Sequence, residues 1–216
     1  MKIQDCKQGS PEWIQARLGK VTASEIDSLI SPTGKIRTGE GPNTYLCKKL
    51  CERILGYSPD GDANSFAMGQ GVILETEACP WYEFTRDLKV QQVGFVTDDS
   101  ERYGCSPDGL VGEDGGLEIK CFQPVHALQC LLGGVIPADY VMQVQMGLFV
   151  TGRKWWDWMS YSRQFPPLIV RVERDEKIQA TLRQALEIFL EKFDARLAEI
   201  TALREQHGNT QPEAER

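Results

Sequence analysis

Gly116-Leu117-Glu118-Ile119-Lys120-Cys121 constrains this chain more than any other stretch. Side chains alternate faces along an extended strand. Leu117, Ile119 and Cys121 therefore share one face, apolar enough for a core, and Glu118 and Lys120 share the other. The preceding Glu113-Asp114-Gly115-Gly116 has the composition of a tight turn. A hairpin running from Gly109 to Gly116 then brings Asp108, of Ser106-Pro107-Asp108-Gly109, close to Glu118. Two converging carboxylates repel each other, so a cation is expected between them. Oxygen-only ligands suit Mg2+, with Mn2+ as a substitute, rather than zinc.

Around this hairpin the pattern predicts helices first, then a mixed sheet with one interposed helix, then a covering helix. Ser10-Pro11 reads as a helix start, with Ser as cap, and the helix stops at Gly19. Thr22 opens a second helix to Ile30, and 31–43 reads as a loop. Helices follow over 44–55 and 65–85, the latter open to breakage at Gly69, Gly71 and Pro80. Strands are predicted at 90–97, 102–105, 110–111, 117–121, 155–161 and 168–173, with a helix over 139–150. Ile178, Leu182, Leu186, Phe189, Phe193, Leu197, Ile200 and Leu203 mark a long amphipathic helix. Residues 1–206 read as one domain, and the polar tail 207–216 as disordered.

The 216 residues, 41% hydrophobic and 25% charged, are ordinary for a globular domain. No apolar run approaches the roughly 20 residues of a membrane span, so no membrane association is expected. The N-terminus shows no signal-peptide apolar segment. Seven cysteines at irregular spacing, with no CxxC pair, read as reduced thiols in a cytoplasmic protein. The net charge of -7 argues against nucleic acid, but its distribution argues back. Residues 1–55 hold nine Lys/Arg and six Asp/Glu, a net of +3, against -10 for the remainder. Lys35, Arg37, Lys48, Lys49 and Arg53 in that basic third are candidate DNA-backbone contacts.

Asp108 with Glu118-Ile119-Lys120 looks like the PD-(D/E)xK nuclease signature. Its context sharpens the likeness. Gly9-Ser10-Pro11-Glu12-Trp13, Ala16-Arg17-Leu18-Gly19 and Thr22-Ala23-Ser24 resemble the opening of the phage lambda exonuclease family of viral recombination nucleases. Ser106–Leu110, Gly116–Cys121, Leu132-Gly133-Gly134, Tyr140–Gln145 and Glu173–Lys177 continue the resemblance in family order. It implies an α/β, restriction-endonuclease-like core with a central mixed sheet flanked by helices. It also implies Mg2+-dependent, processive 5′→3′ digestion of one strand of duplex DNA, by a ring-shaped homotrimer that works with a single-strand annealing recombinase.

The resemblance assigns the residues as follows. Asp108, Glu118 and the Ile119 carbonyl hold a metal, and Glu75 completes the shell of a second ion. Lys120, lowered in pKa or not, orients or deprotonates the attacking water or offsets charge on the phosphorane. Gln143 holds that water or Lys120, while Gln145 points about 200° away around its helix. Arg17, Ser24 and Ser106 match a pocket for the terminal 5′-phosphate, chemistry suited to a guanidinium fork and two hydroxyls. Ca2+ is expected to inhibit. The rivals are a PD-(D/E)xK endonuclease or RecB-like nuclease, and a non-catalytic DNA-binding module.

Overall fold

The computed structural model describes residues 1–59 and 65–206, apart from the side chains of 65–73 and 75. In chain order the elements are β1 (Lys2–Gln4), α1 (Pro11–Arg17), β2 (Val21–Thr22), a 3-10 helix (Ala23–Ser28), α2 (Glu40–Leu55) and α3 (Ser65–Arg86). There follow β3 (Val90–Gln91), β4 (Phe95–Thr97), β5 (Tyr103–Cys105), β6 (Gly109–Val111), β7 (Gly115–Cys121) and α4 (Pro124–Gly133). The chain ends with α5 (Ala138–Thr151), β8 (Trp155–Tyr161), β9 (Leu168–Glu173) and α6 (Glu176–Gln206).

A five-stranded mixed sheet, ordered β3-β6-β7-β8-β9, forms the centre. Its β7–β8 pair is parallel and the others are antiparallel. The alternation read from the sequence decides what each face meets. Leu117 and Ile119 pack with Met159 against Ala78 and Tyr82 of α3. On the other face, Trp156 and Trp158 pack against Val144 and Leu148 of α5. A second sheet, β1-β4-β5-β2, stands beside α1 and the 3-10 helix. The largest core cluster joins that helix, α2, α5 and α6 through Ile26, Leu50, Met146 and Phe189.

The expected α/β core with a mixed sheet is present, with several local differences. The strand predicted over 90–97 is two strands in different sheets. Gly94 between them is buried against Cys6, whose carbonyl oxygen lies only 1.9 Å from where a Cβ would stand. The helix predicted from Thr22 is a shorter 3-10 helix, and the Thr22 hydroxyl donates to Glu25 instead of capping it. α2 begins at Glu40 rather than 44, after Gly39 at φ 96°. α3 runs unbroken through Pro80. α4 escaped the periodicity, although Pro124 near its start and a left-handed Gly134 at its end are ordinary boundary signals. The tail 207–216 lies outside the described residues. None of the seven cysteines is in a disulfide. Among the described residues no single helix is long and apolar enough to cross a membrane.

Candidate active site

The β6–β7 hairpin builds one end of the site. Its turn is Gly112–Asp114, with Gly112 at φ 53°. Arg153, only 8% exposed, fastens that turn by donating to the carbonyls of Val111, Gly112 and Gly115 at 3.2, 2.8 and 2.6 Å. Nothing in the sequence pattern marks Arg153 for this task. The closed hairpin sets Gly109 opposite Leu117. Asp108 then lies just past the pairing, where its N–H donates to the Leu117 carbonyl and its Oδ2 accepts from the Ile119 N–H at 2.5 Å. In an extended strand the N–H and C=O of one residue leave by the same edge. The Ile119 carbonyl therefore leaves β7 on the side that carries Asp108.

Glu118 is 7% exposed, and its Oε1 accepts from Gln143 Nε2 at 2.6 Å and Lys120 Nζ at 2.7 Å. α5 can bring Gln143 this close because Gly147, one turn on, lies against the Trp156 indole, where a Cβ would be 3.0 Å from the ring. Lys120 also lies 5.3 Å from the Tyr140 ring centroid. Burial opposes the Lys120 charge, but Glu118, with Asp108 behind it, offsets the burial, and with no cation between the carboxylates the amine is held above its ordinary pKa. Gln145 turns away as expected: its amide joins the Glu173 carbonyl, the Asp175 N–H and Gln179.

Arg17 builds the other end. Ser10 caps α1 by accepting from the Trp13 N–H, with Pro11 at its start. One helix later, Arg17 donates to Ser106 Oγ at 3.0 Å and to Ser24 Oγ at 3.2 Å. Its guanidinium lies 4.2 Å from the centre of the Trp13 ring, and the Trp13 indole N–H also donates to Ser106. Gln8 reaches the Pro107 carbonyl at 2.8 Å, tying the chain before α1 to the loop that carries Asp108. Burial lowers the pKa of Arg17, with Glu25 as the leading opposing charge. Sequence reasoning missed Trp13 and Gln8; a tryptophan four residues before Arg17 on one helix face is the signal that was there.

The basic residues separate. Lys35, Arg37 and Arg53 are exposed, and Arg37 donates to the Asp27 carbonyl. Lys49 is not on the exposed face expected of it. It is 3% exposed, with Nζ 2.8 Å from Glu25 and 3.0 Å from Glu52. Lys48, partly exposed, pairs with the other Glu25 oxygen at 3.0 Å. Glu75 lies on α3, and its side chain is outside the described residues.

A single cleft of about 510 Å³ joins both ends, lined by Arg17, Ser24 and Ser106 and by Asp108, Glu118, Lys120 and Gln143. Among the described residues, the donors that its acidic end presents to a cation are all oxygen: two carboxylates and a backbone carbonyl. Among the described residues no three His, Cys, Asp or Glu side chains cluster to hold a metal. The set thus fits a hard ion that keeps several waters, as magnesium does, and not a zinc cage.

No curated protein sequence matches the chain. Two solved structures of an alkaline exonuclease from Laribacter hongkongensis are similar to it. The first is 28% identical with TM-score 0.80, and the second, in complex with dAMP, is 29% identical with TM-score 0.81. Each covers 92% of this chain and 100% of the other. A phage-related exonuclease from Haemophilus somnus 129PT shares the fold at 16% identity and TM-score 0.61, over 84% of this chain and 96% of its own. A family model of the YqaJ-like viral recombinase domain matches residues 12–154, the segment that carries both ends of the cleft, and the chain belongs to that family.

Proposed function

We propose that this protein is a Mg2+-dependent 5′→3′ exonuclease that digests one strand of duplex DNA and releases 5′-mononucleotides. The observation that carries the reading is the single cleft with a guanidinium–hydroxyl pocket at one end and two carboxylates with a lysine at the other. The similarity to an alkaline exonuclease, one of whose structures holds the mononucleotide dAMP, supports it.

Asp108, Glu118 and the Ile119 carbonyl would hold the magnesium. When bound, it supplies a Lewis acid that activates water and offsets charge on the scissile phosphate. Lys120, paired with Glu118, orients or deprotonates the attacking water or offsets charge developing on the phosphate oxygens. Gln143 orients the Glu118 carboxylate through its amide. Arg17, Ser24 and Ser106 grip the terminal 5′-phosphate, which sets the next bond against the carboxylates. Each cut makes a new 5′-phosphate for the same pocket, which is the basis for processive action. A second ion belongs to the reading through Glu75. So do a homotrimer, supply of single strands to an annealing recombinase, and phosphate contacts by Lys35, Arg37, Lys48 and Arg53.

The test is digestion of linear duplexes labelled separately at each 5′ and 3′ end. Mononucleotide is expected first from the 5′ label, with Mg2+ or Mn2+ present. Ca2+ should support DNA binding with little cleavage. First release from the 3′ label, or nicking of a closed circle as an endonuclease would do, sinks the reading. Light scattering at micromolar concentration that gives a monomer mass would remove the trimer alone.

A further inference from the structure

We infer that Lys49 is a positioning residue that makes the pocket selective for a terminal phosphate, by holding two carboxylates behind Arg17. The inference rests on the phosphate-pocket reading above. Glu25, Lys48, Lys49 and Glu52 line the same cleft as Arg17 and Ser24. Lys49 Nζ stands between Glu25 Oε2 and Glu52 Oε2 at 2.8 and 3.0 Å. Each carboxylate in turn grips the strap of chain that runs from Arg17 to Ser24. Glu52 accepts from the Gly19 N–H at 2.9 Å, and Glu25 accepts from the Thr22 hydroxyl at 2.9 Å. Gly19 sits at φ 67°, and a Cβ there would stand 3.0 Å from the Arg53 Cβ, so the strap lies directly on α2.

The charge arithmetic gives the strap a second meaning. Among the described residues of this end, Arg17, Lys48 and Lys49 carry three positive charges and Glu25 and Glu52 two negative ones, a net of +1. Without Lys49 the sum is zero, and two carboxylates repel each other beside the space for a dianion. The strap that spaces Arg17 from Ser24 then loses its common anchor. The loss falls on substrates that carry the phosphate, because only they place charge there.

The measurement is the ratio of kcat/KM on 5′-phosphorylated and 5′-hydroxyl duplexes, for wild type, Arg17→Ala, Lys49→Met, Glu52→Gln and the Lys49→Met/Glu52→Gln double variant. Lys49→Met should lower the ratio at least about tenfold. The double variant should regain most of it, since glutamine still accepts from the Gly19 N–H and the sum returns to +1. A folded Lys49→Met that loses rate on both duplexes in proportion, with the ratio intact, overturns the inference. If Lys49→Met does not fold, Glu52→Gln decides. It raises the sum to +2 and should strengthen the phosphate preference, and an unchanged ratio overturns the inference. A wild type with no preference sinks the pocket reading itself, whereas a preference lost in Arg17→Ala but kept in Lys49→Met sinks only the role of Lys49.

Discussion

The two ends of the cleft are built by different lengths of chain. At the acidic end, the bond from Ile119 to Asp108 spans 11 residues, and one hairpin supplies both carboxylates and the lysine. At the cationic end, Arg17 and Ser106 are 89 residues apart, and the pocket needs α1, the 3-10 helix and the loop before Asp108 together. Their charge differs as well. The hairpin end holds Asp108 and Glu118 against Lys120, and in the proposed reading it takes a cation. The other end holds a net positive charge among the described residues, and in the proposed reading it takes an anion. A short local structure can be specified by turn residues and alternation, whereas a distributed one depends on everything packed beneath it.

The largest expected effect is at the hairpin. Asp108→Ala and Glu118→Ala should each lower single-turnover cleavage by about a thousandfold or more and weaken magnesium binding. Lys120→Ala should lose cleavage with a smaller loss of metal affinity. Near-normal cleavage in any of the three would break the assignment of the acidic end.

At the other end, Arg17→Ala should remove most of the preference for a 5′-phosphate, about ten- to a hundredfold. It touches no metal ligand, so magnesium titration should stay at the wild-type midpoint. A shifted midpoint would show that the two ends are not separable.

Between the ends lies the contact that lets α5 cover the sheet. Gly116 lies under Trp156, with a ring carbon 2.2 Å from where a Cβ would be, and Trp156 is 1% exposed. Gly116→Ala should therefore cost about 1–3 kcal/mol, read as a lowered denaturation midpoint. A wild-type midpoint would mean that the indole moves aside freely.

The smallest effect sharpens the comparison through pH. Burial opposes the charge on Glu25, yet Lys49 and Lys48 hold its carboxyl at about 2, against 4.5 for an ordinary glutamate. A pKa lower in the folded state gives stability that is present above the ordinary value and lost as pH falls toward the folded one. Unfolding free energy should thus decline by about 1–2 kcal/mol between pH 4.5 and 2 from this group. Glu25→Gln should flatten that part of the profile, and an unaltered slope would remove the clamp from the ledger of acid stability.

Alternation and turn composition alone placed Asp108, Glu118 and Lys120 together, because side-chain direction in a strand follows from sequence parity. The same logic gave β8 and β9 their places, and helical spacing gave α6 its stripe, buried at Leu182, Leu186, Phe189 and Phe193 but exposed at Leu203. Arg17, Ser24 and Ser106 came only by resemblance to a family, since no local rule links residues so far apart. Packing decided the rest. Lys48 and Lys49 are adjacent and chemically alike, and sequence treats them as one basic face. Successive helix positions are about 100° apart, so α2 turns Lys49 inward to Glu25 and Glu52 and leaves Lys48 at the wall of the cleft. Which of two like charges meets solvent depends on what the helix lies against. That is a property of the assembled core and not of either residue.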